Sequence, residues 1–263
     1  MSSRPSILLT FDVEEFDIPL EYQCNIDMPT QMEIGKKGLQ AIWHLLQKNN
    51  VHCTLFTTAN FAQQFKEEIK NLSVQHEIAS HTFYHSSFAN EDLASSKIAL
   101  EKIISKPITG LRMPRMRFVE MQAVKAAGYQ YDSSINPTWL PGRYNYRHLP
   151  RTIYTENEVL RLPASVSPNL RIPLFWLAFK NFPYQIFKKL AIQTLQKDGY
   201  LNLYFHPWEF TDINGFNLPG FVKKDCGEKL IKKLERLMMD LKNEGEFISI
   251  QQYIQQNKLG NIV

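Results

Sequence analysis

Short apolar runs alternate with segments of helical periodicity along nearly the whole chain. That alternation restricts the possible folds more than any other feature. Ser6 to Phe11 (SILLTF) reads as a buried parallel strand that runs into acid. A polar loop with Pro19 and Pro29 leads into a helix from about Met32 to Gln47, with Leu39, Ile42, Leu45 and Leu46 on one face. Cys53 to Thr58 is rich in β-formers and reads as a second strand. Asn60 can cap a helix to about Ile69, and Val74 to Ala79 is a third strand. The pattern continues with a helix over Asn90 to Ser105, a strand over Ile108 to Arg112, and a helix over Phe118 to Ala127 closed by Gly128. Strands follow at Tyr129 to Ser133, Val159 to Leu162 and Tyr200 to Phe205, with one or two helices between Pro173 and Lys197. A long helix over Lys223 to Asn243, a closing strand over Phe247 to Ile250 and a short last helix complete the chain. Pro137, Pro141, Gly142 and Pro150 mark the stretch from Asn136 to Pro150 as an irregular loop. Such alternation indicates parallel βαβ units, and seven or eight of them close into a barrel or barrel-like sheet. Function in such a sheet collects at the C-terminal ends of the strands.

Length and composition agree with one α/β domain over residues 1–263. Hydrophobic residues make up 44% and charged residues 21%, as in ordinary folded proteins. The net charge of +4 is too small and too scattered for a nucleic-acid partner. Cys24, Cys53 and Cys226 stand far apart with no metal-finger spacing, so they read as free thiols in a reducing compartment. The apolar run at Ile7 meets Asp12 too soon for a signal peptide. The run from Ile172 to Phe179 is too short to span a bilayer. The expectation is a cytoplasmic protein without a transmembrane segment.

Three of the seven histidines fall within His76–His85. His81 and His85 are four apart, so in a helix or tight turn both rings point the same way and offer two metal ligands. Two surface or hydrogen-bonded histidines would look the same, and an HxxxH pair alone is a weak signal. The acidic cluster Asp12-Val13-Glu14-Glu15 can supply a carboxylate. Asp12, His81, Arg112, Asp132 and His206 all fall at or just after expected strand ends. Each taken singly has a bland reading, such as a cap, a turn charge or a packed corner; their common position is what argues for an active site.

The set resembles the polysaccharide deacetylases, the NodB-homology group of metal-dependent N- or O-deacetylases, whose fold is a distorted (β/α) barrel. The resemblance runs in order over most of the chain. Thr10-Phe11-Asp12-Val13-Glu14 is similar to a first motif whose usual form is Thr-Phe-Asp-Asp-Gly. His81-Thr82-Phe83-Tyr84-His85 is similar to the second, Arg112-Met113-Pro114-Arg115 to the third, and Leu203-Tyr204-Phe205-His206 to the fifth. Tyr131-Asp132-Ser133-Ser134 and His206-Pro207-Trp208-Glu209-Phe210 look most like the branch found with exopolysaccharide synthesis, whose members often lack a signal peptide. Val13 stands where the second Asp ligand is usual, with Glu14 as its replacement.

The resemblance implies a barrel of about seven parallel strands and a divalent metal on Glu14, His81 and His85. Zinc comes first, with cobalt, nickel or manganese as alternatives. It implies Asp12 as general base, Arg112 as its partner, His206 as general acid and Asp132 as a residue that steers His206. Pro114, Arg115 and Trp208 are implied at the substrate, with a backbone N–H near Arg115 at the oxyanion. Tyr84, Trp139 and Trp208 are candidates for stacking on a sugar, with a core role the alternative. The implied partner is an acetylated saccharide, in an extension a lipid-linked one met at the inner membrane by the aromatic and basic stretch Leu170 to Leu190. An ordinary helix with a packed apolar side is the stronger reading of that stretch. Two rivals are a barrel amidase acting on a small C–N substrate, which typically lacks the metal ligands, and a non-catalytic carbohydrate-binding relative.

Overall fold

The computed structural model describes residues 4–259. Its strands are β1 (Ser6–Val13), β2 (Thr54–Thr57), β3 (Glu77–Ser80), β4 (Gly110–Leu111), β5 (Tyr131–Asp132), β6 (Trp139–Leu140), β7 (Tyr144–Asn145), β8 (Tyr154–Glu156), β9 (Val159–Arg161), β10 (Tyr200–Phe205) and β11 (Glu246–Phe247). The main sheet runs β10-β1-β2-β3-β4-β5-β9-β8, with β11 also paired to β1. Pairing is parallel from β10 through β9, so seven strands make the curled body; β8 is an antiparallel edge. This is the distorted (β/α) barrel expected. Between β9 and β10 the ladder is replaced by local bonds: Ser165 N–H donates to the Asn202 carbonyl (2.9 Å), and Asn202 N–H donates to Ser165 Oγ (2.9 Å).

The pleat of β1 explains both the core and the site. Successive side chains point to opposite faces. Ile7, Leu9, Phe11 and Val13 join the larger apolar cluster, beneath helices such as Met28–Lys48 and Glu228–Lys242. Leu8 joins a second, smaller cluster with Phe56, Ala79 and Tyr131. Thr10 and Asp12 follow Leu8 on its side, and Glu14 continues the series beyond the strand. Val13 thus fills core, and the next position that can present a carboxylate is Glu14.

Several expectations change. The helix expected to begin with Asn60 as cap is Ala59–Gln64, capped by Thr58, whose Oγ1 accepts the Phe61 N–H (3.3 Å). It breaks at Phe65, and Lys66–Leu72 continues separately. The long helix expected from Lys223 begins at Glu228, because Gly227 takes φ +79° ahead of it. The stretch expected to be irregular holds the β6–β7 hairpin. In the aromatic and basic stretch, Phe175, Trp176, Phe179 and even Lys180 are buried, so its apolar side packs inward. Among the described residues no helix is long and apolar enough to cross a membrane. Gly38 lets the helix Met28–Lys48 approach the turn after β10, where an added Cβ would sit 2.0 Å from the Pro207 carbonyl oxygen.

His76 lies at the other end of β3 from the site. Its Nδ1 faces Cys53 Sγ at 3.6 Å, and its Nε2 has no hydrogen-bond partner among the described residues. Burial, with His52 nearby, lowers its pKa from 6.5 to about 4. Between those values the unfolded chain binds a proton that the folded chain refuses, so stability falls as pH drops through this window. Replacing His76 with Leu removes the effect. In urea titrations the stability difference between wild type and His76→Leu should shift against the wild type by about 2 to 3 kcal/mol from pH 7.5 to pH 4.5. A pH-independent difference would contradict a buried neutral His76.

Candidate metal and catalytic site

The turn after β3 carries both histidines. Thr82 takes φ +62° within it, and its hydroxyl donates to the Tyr84 carbonyl (3.1 Å). His81 and His85 stack at 5.6 Å with 25° between their planes. Glu14 Oε2 lies 3.1 Å from His81 Nε2 and 3.0 Å from His85 Nε2, and all three residues are buried.

The tautomers follow from the partners. His81 Nδ1 is 2.7 Å from the Arg112 carbonyl oxygen, and His85 Nδ1 is 2.7 Å from Asp17 Oδ1. A carbonyl and a carboxylate can only accept, so each Nδ1 must carry the hydrogen. Each Nε2, when the ring is neutral, then aims a lone pair at an ionised carboxylate. Three acceptors facing one another require a cation, either a proton or a metal ion. Two imidazoles and one carboxylate, with an acid behind one ring, form a donor set that fits a divalent ion. Burial opposes charge on Glu14, but His85, His206 and His81 outweigh it and hold the carboxyl far below its usual range. Burial likewise opposes charge on His85, but Glu14 and Asp17 outweigh it, raising its pKa to about 9. Without a metal, His85 is thus the proton's seat. Trp208 Nε1–H donates to Glu14 Oε1 (3.0 Å) and fixes the remaining oxygen.

Asp12 and His206 form the second half. Arg112, fully buried, donates from NH1 to Asp12 Oδ1 (2.7 Å) and Thr10 Oγ1 (2.8 Å). Its Nε and NH2 donate to the carbonyl and hydroxyl oxygens of Ser133 (3.1 and 2.9 Å), and its plane lies 4.0 Å from the Phe56 ring centre. Asp12 Oδ2 is 3.9 Å from His206 Nε2. His206 Nδ1–H donates to Glu209 Oε1 (3.0 Å), which leaves Nε2 turned to Asp12. Burial works against a charged His206, yet Glu14, Glu209 and Asp12 raise its pKa overall.

The structure therefore brings together Asp12, Glu14, His81, His85, Arg112 and His206. Asp132 is a correction. Its carboxylate accepts from the Ser134 N–H (3.1 Å) and pairs with Arg161 Nε (3.0 Å), while the acid on His206 is Glu209. Asp132 belongs to β5, whereas Glu209 follows His206 within one turn and returns to it. Trp208 is also corrected: it is only 2% exposed and stacks on His206 at 5.0 Å, so it backs the site instead of facing a sugar. Pro114 is buried as well. Arg115, at φ +57°, donates to Asp17 Oδ2 (2.9 Å) and Glu21 Oε1 (2.5 Å), which ties it to the acid behind His85. Of the three stacking candidates, Tyr84 and Trp139 are exposed. Reading the sequence missed Asp17, Glu209 as partner of His206, and Lys180; only the His-x-x-Glu spacing of His206 and Glu209 carried a local signal.

Residues 2–131 match the family profile described as polysaccharide deacetylase. With the barrel and site above, this part of the chain is of the polysaccharide deacetylase type, and the protein is a deacetylase-type hydrolase. No curated protein sequence matches the chain. A solved Mycobacterium smegmatis structure assigned as a polysaccharide deacetylase aligns with TM-score 0.66 and 16% identity, covering 100% of this chain and 93% of its own. The allantoinase PuuE aligns with TM-score 0.64 and 14% identity, over 96% and 90% of the two chains. A CE4 family pseudoenzyme from Bacillus anthracis aligns with TM-score 0.53 and 11% identity, over 96% and 66%. At these identities the likeness speaks for the fold.

Asp17 offers a direct test of the metal centre. Asp17→Asn removes the charge behind His85 and can present an N–H to Nδ1. Metal affinity of the purified protein should drop about 10- to 100-fold in chelator competition. Unchanged affinity would exclude His85 as a ligand held through Asp17.

Proposed function

We propose that this site hydrolyses acetyl groups, N-acetyl first, from an acetylated saccharide. One observation carries the reading. Asp12 and His206 face each other across 3.9 Å beside the Glu14, His81 and His85 cluster, one backed by an arginine and the other by a glutamate. A base and an acid of opposite support, next to a cation site, is what acyl transfer to water requires.

Glu14, His81 and His85 would hold the ion, with zinc first and cobalt, nickel or manganese as alternatives. Bound there, it would supply Lewis acidity toward an acyl oxygen and toward water. Asp12 removes the proton of the attacking water through Oδ2, because Oδ1 is engaged by Arg112. Arg112 holds that carboxylate in orientation by a charge-assisted hydrogen bond. The N–H beside Arg115 is proposed as a donor to the developing oxyanion. His206 then passes the proton on its Nε2 to the departing amine or alkoxide, with Glu209 holding Nδ1–H in place.

A barrel amidase for a small C–N substrate is the rival on the same fold, which an allantoinase also shares. The intact Glu14, His81 and His85 cluster favours the metal-dependent deacetylase. A non-catalytic saccharide binder would have no use for a base and an acid held this closely.

Asp12→Asn separates binding from turnover. The protein should keep wild-type metal content, because Asp12 lies outside the ligand cluster, while acetate release from acetylated saccharides falls at least about 100-fold. Undiminished turnover would remove Asp12 from the role of base.

A further inference from the structure

Lys180 is a cation buried without any exposed surface, in the helix Trp176–Asn181. Its Nζ donates to the Val222 carbonyl (2.8 Å) and lies 3.0 Å from Cys226 Sγ. It lies 3.0 Å from Glu209 Oε2, as an ion pair off the line of a hydrogen bond. It also sits 5.1 Å from the Trp176 ring centre and 5.5 Å from that of Trp208. Glu209 is equally buried, and its other oxygen accepts both from the His206 backbone N–H (2.8 Å) and from His206 Nδ1–H (3.0 Å). Lys180, Glu209 and His206 thus form one line that ends on Nε2, beside Asp12.

A buried ammonium is costly, and a methionine would fill the same volume at lower cost. The core alone gives no reason for a charge here; the reason lies in Glu209. Among the described residues its Oε2 has no other partner, and without Lys180 a buried carboxylate oxygen would stand uncompensated. Such a carboxylate rotates or takes up a proton, and in either case loosens its hold on His206. His206 has little else to fix its ring. Trp176 meets it edge-on at 5.1 Å and Trp208 stacks at 5.0 Å, which restrains the plane but leaves open which nitrogen faces the substrate.

We propose that Lys180 is a positioning residue for proton delivery: acting through Glu209, it fixes the Nδ1–H tautomer of His206 and turns Nε2 to the leaving group. The inference rests on the hydrolytic reading of the site. It assigns a role in acid catalysis to a residue that touches no substrate.

The test uses two leaving groups and Lys180→Met. An N-acetyl saccharide expels an amine that must be protonated; 4-nitrophenyl acetate expels a phenolate that needs no proton. In the metal-loaded protein, K180M should lower kcat on the saccharide about 10- to 100-fold with KM little changed. The loss on the aryl ester should be at least about tenfold smaller, since only the proton-requiring step is affected. Combined with Glu209→Gln, K180M should add almost nothing, because the two act in series. Equal losses on both substrates with full metal content, or no loss on either, would overturn the proposal. The ring ¹⁵N shifts of His206 give an answer independent of turnover. They should report Nδ1–H in the wild type and a tautomer mixture in K180M; an unchanged tautomer would overturn the positioning role. Wild-type protein inactive on both substrates would instead count against the deacetylase reading, with the tautomer result still deciding the role of Lys180. If K180M does not fold, Lys180→Gln, which keeps a donor for the Val222 carbonyl without the charge, is judged by the same measurements.

Discussion

The site hangs on the Arg112 side chain and backbone. Its guanidinium makes four hydrogen bonds inside the barrel, one of them to Asp12, and its carbonyl oxygen accepts the proton of His81 Nδ1. One residue therefore sets the orientation of Asp12 and the tautomer of His81 together. An arginine suits this place because its planar fork stays charged and can satisfy several acceptors without water. Removing either partner of so deeply buried a pair would strand the other, at a cost of about 3 to 5 kcal/mol. The parallel strands β1, β4 and β5 are what bring Thr10, Asp12 and Ser133 within reach of it.

Around that pair the charges alternate in a way that keeps the interior balanced. Arg112 supports Asp12, Asp17 supports His85, Glu209 supports His206, and Lys180 supports Glu209. Arg115 in turn neutralises Asp17 and Glu21. Each of these buried charges has a neighbour of opposite sign, as a low-dielectric interior demands. The Glu14 carboxylate faces two imidazole Nε2 atoms, and its balance comes from the cation held among the three, the proton on His85 or a metal ion in its place.

Much of this is legible locally. The alternation of β-rich and helix-periodic segments carries the parallel barrel, because side-chain periods of 2.0 and 3.6 are written directly into the order of residues. The His81 and His85 spacing and the strand-end positions of Asp12, Arg112 and His206 point to one site for the same reason. The corrections share another cause. A strand-end position matches Asp132 to His206, yet β5 lies five places from β10 along the sheet order, and Arg161 from adjacent β9 claims its carboxylate. Trp208 reads as a sugar platform in sequence, but whether an aromatic ring faces solvent or core depends on what packs over it.

What the sequence alone determined, then, is the class of fold, written in its side-chain periods, and the strand-end positions of the candidate site residues, to which the resemblance of their motifs added the roles of ligand, base and acid. Only the tertiary structure decided which buried charge stands behind which side chain of the site. Asp17 reaches His85 across 68 residues, and Lys180 meets Glu209 from a separate helix. Such pairings are set by the closing of the barrel, which brings distant charges into a medium where each must find its opposite.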